Sequence, residues 1–158
     1  KVSDFGWRMS DNLNKDLKIF LAFFCFMLPL VFLVSTQESF LIKYPFYRPI
    51  SADQIYPNLL IWELFYFLQF ISLEFFFRGF LVHGLKEEIG DYSVLVMVIP
   101  YCMIHFQKPF LETIGAIFAG LILGYLSLRK NSIVTGIALH FSVAITMDLF
   151  ALYHLGYI

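Results

Sequence analysis

Glu74 and Arg78 stand four residues apart within the apolar stretch SLEFFFRGFLVHGL at 72–85. That spacing is close to one helical turn, so both side chains leave the same helix face. Ionisable groups are costly in hydrocarbon and are seldom kept there without a task. His105 and His140 lie in two further apolar runs. Counted at about 1.5 Å per residue from a common end, Glu74 and His140 each lie roughly 14 Å deep, and His105 roughly 18 Å. Three potential donors on three helices thus share one layer. Two imidazoles and a carboxylate suit Zn²⁺ with an open position for water. A metal-bound water is nucleophilic near neutral pH, and a carboxylate beside it can remove its proton. The chemistry this predicts is peptide-bond hydrolysis. Here His105 and His140 hold the divalent metal, Zn²⁺ by donor type, and Glu74 is the general base. Arg78 is always charged; it holds Glu74 ionised and oriented, or binds a substrate carbonyl or carboxylate. Each of these residues also has a plainer reading, as a hydrogen-bonded packing group, a structural ion pair or part of a proton relay.

Glu112 and Asp148 form a second layer, roughly 25 Å from the same end. Either could stand behind an imidazole and orient it, or lie in the far interface. Glu63, His83 and His154 fall near span ends and read as interfacial or structural. Cys25 and Cys102 sit in apolar runs and read as small packing residues, not as ligands or a disulfide.

These residues need elements to position them. Of the 158 residues 59% are apolar, 20% aromatic and only 15% charged. That composition predicts an integral membrane protein. A net charge of −1 gives no sign of a nucleic-acid partner. A hydrocarbon core of about 30 Å needs about 20 helical residues. Five segments approach that length: 17–35 with a kink expected at Pro29, 59–83, 92–107, 110–128 and 132–155. The expected fold is all-α, a polytopic transmembrane helical bundle of about five spans, with 1–158 as a single membrane domain in a lipid bilayer. The tyrosine- and proline-rich stretch 36–58 reads as an interfacial loop. The segments 84–91 and 129–131 read as short polar loops that make their flanking spans antiparallel neighbours. Ala116, Gly120 and Gly124, at spacing four, predict close helix packing.

Lys1, Arg8, Lys15, Lys18, Lys86, Arg129 and Lys130 fall on one side; Lys43, Arg48 and Lys108 fall on the other. The richer side is expected to be cytoplasmic, and with it the N-terminus. The chain starts at Lys1, as a fragment with spans missing ahead of it would, and no signal peptide is expected.

Three stretches resemble the motifs of the CPBP intramembrane metalloproteases. These are EFFFRGFL at 74–81, YCMIH at 101–105 and LHFSVAITMD at 139–148. That family includes the type II CAAX prenyl endopeptidases and bacterial proteins linked to bacteriocin processing and self-immunity. The resemblance covers about 60–155 and includes the linking stretch 115–140. It implies a helical bundle with a cavity inside the membrane, a peptide or protein substrate that can be lipidated, and a bacterial inner-membrane location. Glu74 and Arg78 match the second glutamate and the arginine of the first motif; Leu73 stands where the first glutamate belongs. Tyr101 replaces a phenylalanine, and Ala144 an asparagine or aspartate. Glu74, Glu112 or Asp148 must then supply the missing carboxylate, with Glu74 expected because it shares the histidine layer. The rival expectation is an inactive relative that binds a peptide or acts in immunity. An ion or proton pathway is a third, and it calls for a polar route across the bilayer in place of one layer.

Overall fold

The computed structural model describes residues 1–9, 12–50 and 54–158. Helices α1 (Leu13–Ser35) and α2 (Glu38–Lys43) lead into a helical turn at Ile55–Leu59. Then follow α3 (Leu60–Glu74), a π-helical segment Phe75–His83, and α4 (Gly84–Ile89). The bundle is completed by α5 (Tyr92–Met103), α6 (Phe110–Lys130) and α7 (Val134–His154). Among the described residues there is no strand.

Among the described residues four stretches are long and apolar enough to cross a bilayer: Leu13–Ser35, Ile55–Ile89, Phe110–Lys130 and Val134–His154. The chain is an all-α integral membrane bundle. Three expectations shift in detail. Residues 92–107 do not make one helix: α5 stops at Met103 after 12 residues, about 18 Å and too short to cross alone. Tight turns follow, with His105 N–H bonded to Cys102 O and Lys108 N–H to His105 O. The polar segment 84–91 is mostly α4, which prolongs the π-helical segment until Gly90, at φ 55°, ends it. The stretch 36–58 holds α2 and the turn at Ile55–Leu59, and its residues 51–53 lie outside the described ones. Pro29 lies inside α1 without ending it.

The core that positions the site lies between α5, α6 and the π-helical segment. Ala116, Gly120 and Gly124 are buried, and they face Val94, Met97, Val98 and Tyr101. A methyl on Gly124 would come within 2.6 Å of Val94 Cγ1, and one on Gly120 within 3.0 Å of Tyr101 Cδ1. Without side chains at these two positions the helices approach closely, as small residues permit in lipid. A second cluster packs Tyr66 and Phe70 of α3 on Ala144 of α7.

Polar clasps hold the two ends. At one, Lys130 pairs with Asp16, Arg8 Nε donates to Asn131 O at 2.9 Å, and Ser132 Oγ to Arg8 O at 2.6 Å. His83 Nε2 lies 2.9 Å from Ser127 Oγ there, with Gly6 against its ring. At the other, Ser35 Oγ lies 3.1 Å from His154 Nε2. Arg8, Lys86 and Lys130 thus share one end, as the charge pattern requires.

Candidate functional site

Glu74 ends α3, and Arg78 lies one turn later in the π-helical segment, on the same inward face. Wide turns of this kind recur at functional sites. Here the segment buries Phe77, Arg78, Gly79 and Val82 while Phe76 and Phe80 face outward. Both charged side chains are 0% exposed. Arg78 Nη1 donates to Glu74 Oε1 at 2.9 Å. The same oxygen accepts from His140 Nδ1 at 2.8 Å. Among the described residues Glu74 Oε2 has no hydrogen-bond partner, and it faces Gly136, where a methyl would stand 2.9 Å from it. A buried carboxylate needs such partners, since leaving one unpaired costs several kcal/mol.

His140 remains reachable, at 16% side-chain exposure. Phe70 covers one side of its ring, with centroids 4.5 Å apart. With Nδ1–H committed to Glu74, Nε2 carries the lone pair. It faces the Tyr101 hydroxyl at 3.4 Å. His105 stands in the turns after α5. Its Nδ1–H donates to Tyr101 O at 2.8 Å, and its ring lies 4.9 Å from the Tyr101 ring. The Arg78 guanidinium carbon sits 4.1 Å from the Tyr101 ring centroid, in cation–π contact. Glu74, Arg78 and His140 therefore form one hydrogen-bonded cluster, joined to His105 through Tyr101.

Glu112 and Asp148, expected either behind the imidazoles or in the far interface, sit at the far end. Asp148 follows His140 by eight residues on α7, about 12 Å along the axis. It is 1% exposed and lies beside Glu63. Glu112 accepts from the Tyr44 hydroxyl at 2.7 and 2.8 Å and from Lys108 Nζ at 3.1 Å. Burial and the Glu112 carboxylate push the Tyr44 phenol well above its usual range, so it remains a donor. The oxygens behind the two imidazoles are instead Glu74 and the Tyr101 carbonyl.

Both imidazoles have Nδ1 engaged by an oxygen, which leaves the lone pair on Nε2, as in metal-bound histidines. A catalytic zinc site takes three protein ligands. Among the described residues no three His, Cys, Asp or Glu side chains form a group able to hold a metal ion. The residues as placed therefore do not make a three-ligand zinc site.

Leu73 packs against the cluster of Phe77, Val94, Val98 and Tyr101, and Ala144 is buried against Tyr66 and Phe70. The sequence points to Tyr101 only as the residue standing where the resembled motif has phenylalanine, four residues before His105, and nothing in it points to Gly136.

The fold and site define a helical membrane protein with a buried carboxylate–arginine–imidazole cluster inside the bundle. The chain belongs to the Rce1-like family of type II CAAX prenyl endopeptidases, which it matches over residues 55–146. All of Glu74, Arg78, Tyr101, His105 and His140 fall within the matched region. At the family level the activity is intramembrane proteolysis of the CAAX type. Neither a curated protein nor a solved structure shows a significant match to the chain.

Proposed function

We propose that this protein is an intramembrane endopeptidase that cleaves a peptide or lipidated protein by activating water at His140, with Glu74 behind it. The supporting observation is the bond from His140 Nδ1 to Glu74 Oε1, in a carboxylate also held by Arg78. A carboxylate on Nδ1 fixes the tautomer, makes Nε2 the base and compensates the imidazolium that forms. In this reading Nε2 takes a proton from water as its oxygen attacks the scissile carbonyl. The C–N bond then breaks, and the imidazolium returns the proton to the leaving amine. Glu74 acts as base through His140, because it is fully buried. In this reading Nε2 of His105, whose Nδ1 is held by the Tyr101 carbonyl, holds the water. Glu112 and Asp148 serve the far end, and the end carrying Arg8, Lys86 and Lys130 faces the cytoplasm of a bacterial cell.

The test is cleavage of a quenched fluorogenic peptide with a farnesylated CAAX terminus by purified protein in lipid nanodiscs. His140→Ala and Glu74→Gln are expected to lower turnover at least about 100-fold. Unchanged turnover in either overturns the reading. Metal content of the wild type and of His140→Ala, measured on the same samples, decides the sequence expectation of Zn²⁺ held by His105 and His140. Stoichiometric metal lost in the variant supports it, and metal-free protein that cleaves refutes it.

A second reading has a specific observation behind it. Leu73 and Ala144 place apolar packing where the resembled motifs carry polar groups. A peptide-binding relative without activity fits that. It predicts binding of the same peptide, uncut, with affinity that survives Glu74→Gln.

A further inference from the structure

We infer that Tyr101 is the positioning residue that sets both imidazoles, its hydroxyl holding His140 and its carbonyl holding His105. The inference deepens the proposed reaction and rests on it for its kinetic part.

His140 Nδ1–H donates to Glu74 Oε1 at 2.8 Å. The nitrogen that must do the work, Nε2, then needs a donor, and the only hydrogen-bond partner it has among the described residues is the Tyr101 phenol at 3.4 Å. That length is at the long end for a hydrogen bond. Such a bond limits rotation of the ring yet yields the nitrogen when water arrives. The Tyr101 ring is packed by three neighbours. Arg78 lies over its ring at 4.1 Å, Phe77 meets it edge-on at 5.3 Å, and a methyl on Gly120 would collide with Cδ1 at 3.0 Å. Tyr101 is 1% exposed. Its carbonyl is the acceptor for His105 Nδ1 at 2.8 Å. The side chain of this residue thus meets His140 while its backbone anchors His105.

Tyr101→Phe keeps the ring over Arg78 and removes only the hydroxyl. The experiment uses the full chain in nanodiscs with ¹⁵N-histidine, the His140 signals being assigned by their loss in His140→Gln. In Tyr101→Phe the His140 Nε2 resonance is expected to move downfield as its hydrogen bond is lost, with the thermal midpoint close to wild type. Turnover of the farnesylated peptide should fall at least about tenfold with KM unchanged. Gly120→Ala, which pushes the ring from behind, should move the same resonance without touching the hydroxyl. An unmoved Nε2 resonance in Tyr101→Phe overturns the inference, whatever happens to turnover. A moved resonance with wild-type turnover also overturns it, because the bond would then position nothing that matters. If wild type cleaves no peptide, the proposed reaction fails while the resonance still decides whether Tyr101 holds His140.

Discussion

At the scale of single residues, the site combines an expensive ion pair with a missing side chain. Glu74 and Arg78 are both fully buried, and they neutralise one another at 2.9 Å. Removing one partner leaves the other as an unpaired charge in a dry interior, a loss of about 3–5 kcal/mol. Replacing both by apolar residues of similar size removes that penalty. We therefore expect Arg78→Met alone to unfold at clearly lower temperature than wild type. The double variant Glu74→Leu/Arg78→Met should recover most of the midpoint and have no activity. A midpoint as low in the double as in the single would show that the pair is not what Arg78 stabilises. Gly136 offers a finer probe. Glu74 Oε2 would stand 2.9 Å from an added methyl, and the carboxylate cannot retreat without loosening its bonds to Arg78 and His140. Gly136→Ala should cost about 1–3 kcal/mol as overpacking does, together with turnover. Gly115→Ala meets nothing within 4 Å among the described residues and should be neutral, or stabilising by up to about 1 kcal/mol. Thermal unfolding in nanodiscs compares the two.

At the scale of elements, the small-residue face of α6 lets α5 approach, and α5 carries Tyr101 to the site. Gly124 is the tightest point, with Val94 Cγ1 at 2.6 Å and Met97 Cε at 3.0 Å from an added methyl. Valine is stiff at χ1, so it cannot swing away as methionine can. Gly124→Ala should therefore cost about 1–3 kcal/mol, seen in the unfolding midpoint, and Val94→Ala should restore part of it. Restoration by Met97→Ala alone would relocate the contact. This scale also shows what a sequence conveys. Depth along a helix axis is legible from residue counting, which is why Glu74 and His140 share a layer and meet. Azimuth is not, so the Tyr101 hydroxyl at His140 could not be read from spacing. Counting also fails where the helix ends: α5 stops at Met103, and His105 reaches its place through turns. The apolar run at 75–83 carries no mark of π-helical winding. Glu112 and Asp148 were legible as a distant layer, while Tyr44 and Lys108 as partners of Glu112 depended on a connection whose path sequence does not fix.

At the scale of the whole molecule, the polar groups sort into two ends. Arg8, Lys86, Asn131 and the Lys130–Asp16 pair gather at one, and Tyr44, Lys108 and Glu112 at the other. The proposed orientation, with the first end cytoplasmic, puts Glu87 on the cytoplasmic side and Glu38 on the other, and both are exposed. In a Cys25→Ala/Cys102→Ala background, a membrane-impermeant maleimide on intact cells should label Glu38→Cys and spare Glu87→Cys. The reverse pattern would invert the orientation.

Helix α1 joins the rest mainly along α7, pinned by Lys130–Asp16 at one end and Ser35–His154 at the other. Nearly all the rest of its surface is uncovered, and it lies ahead of the stretch matched by the family. For such a helix, selection reads oiliness and little else. Under random mutagenesis its outer positions should drift freely among leucine, isoleucine, valine and phenylalanine, whereas around Glu74 almost every exchange should be purged. The history of this protein would then be written at two speeds along one chain.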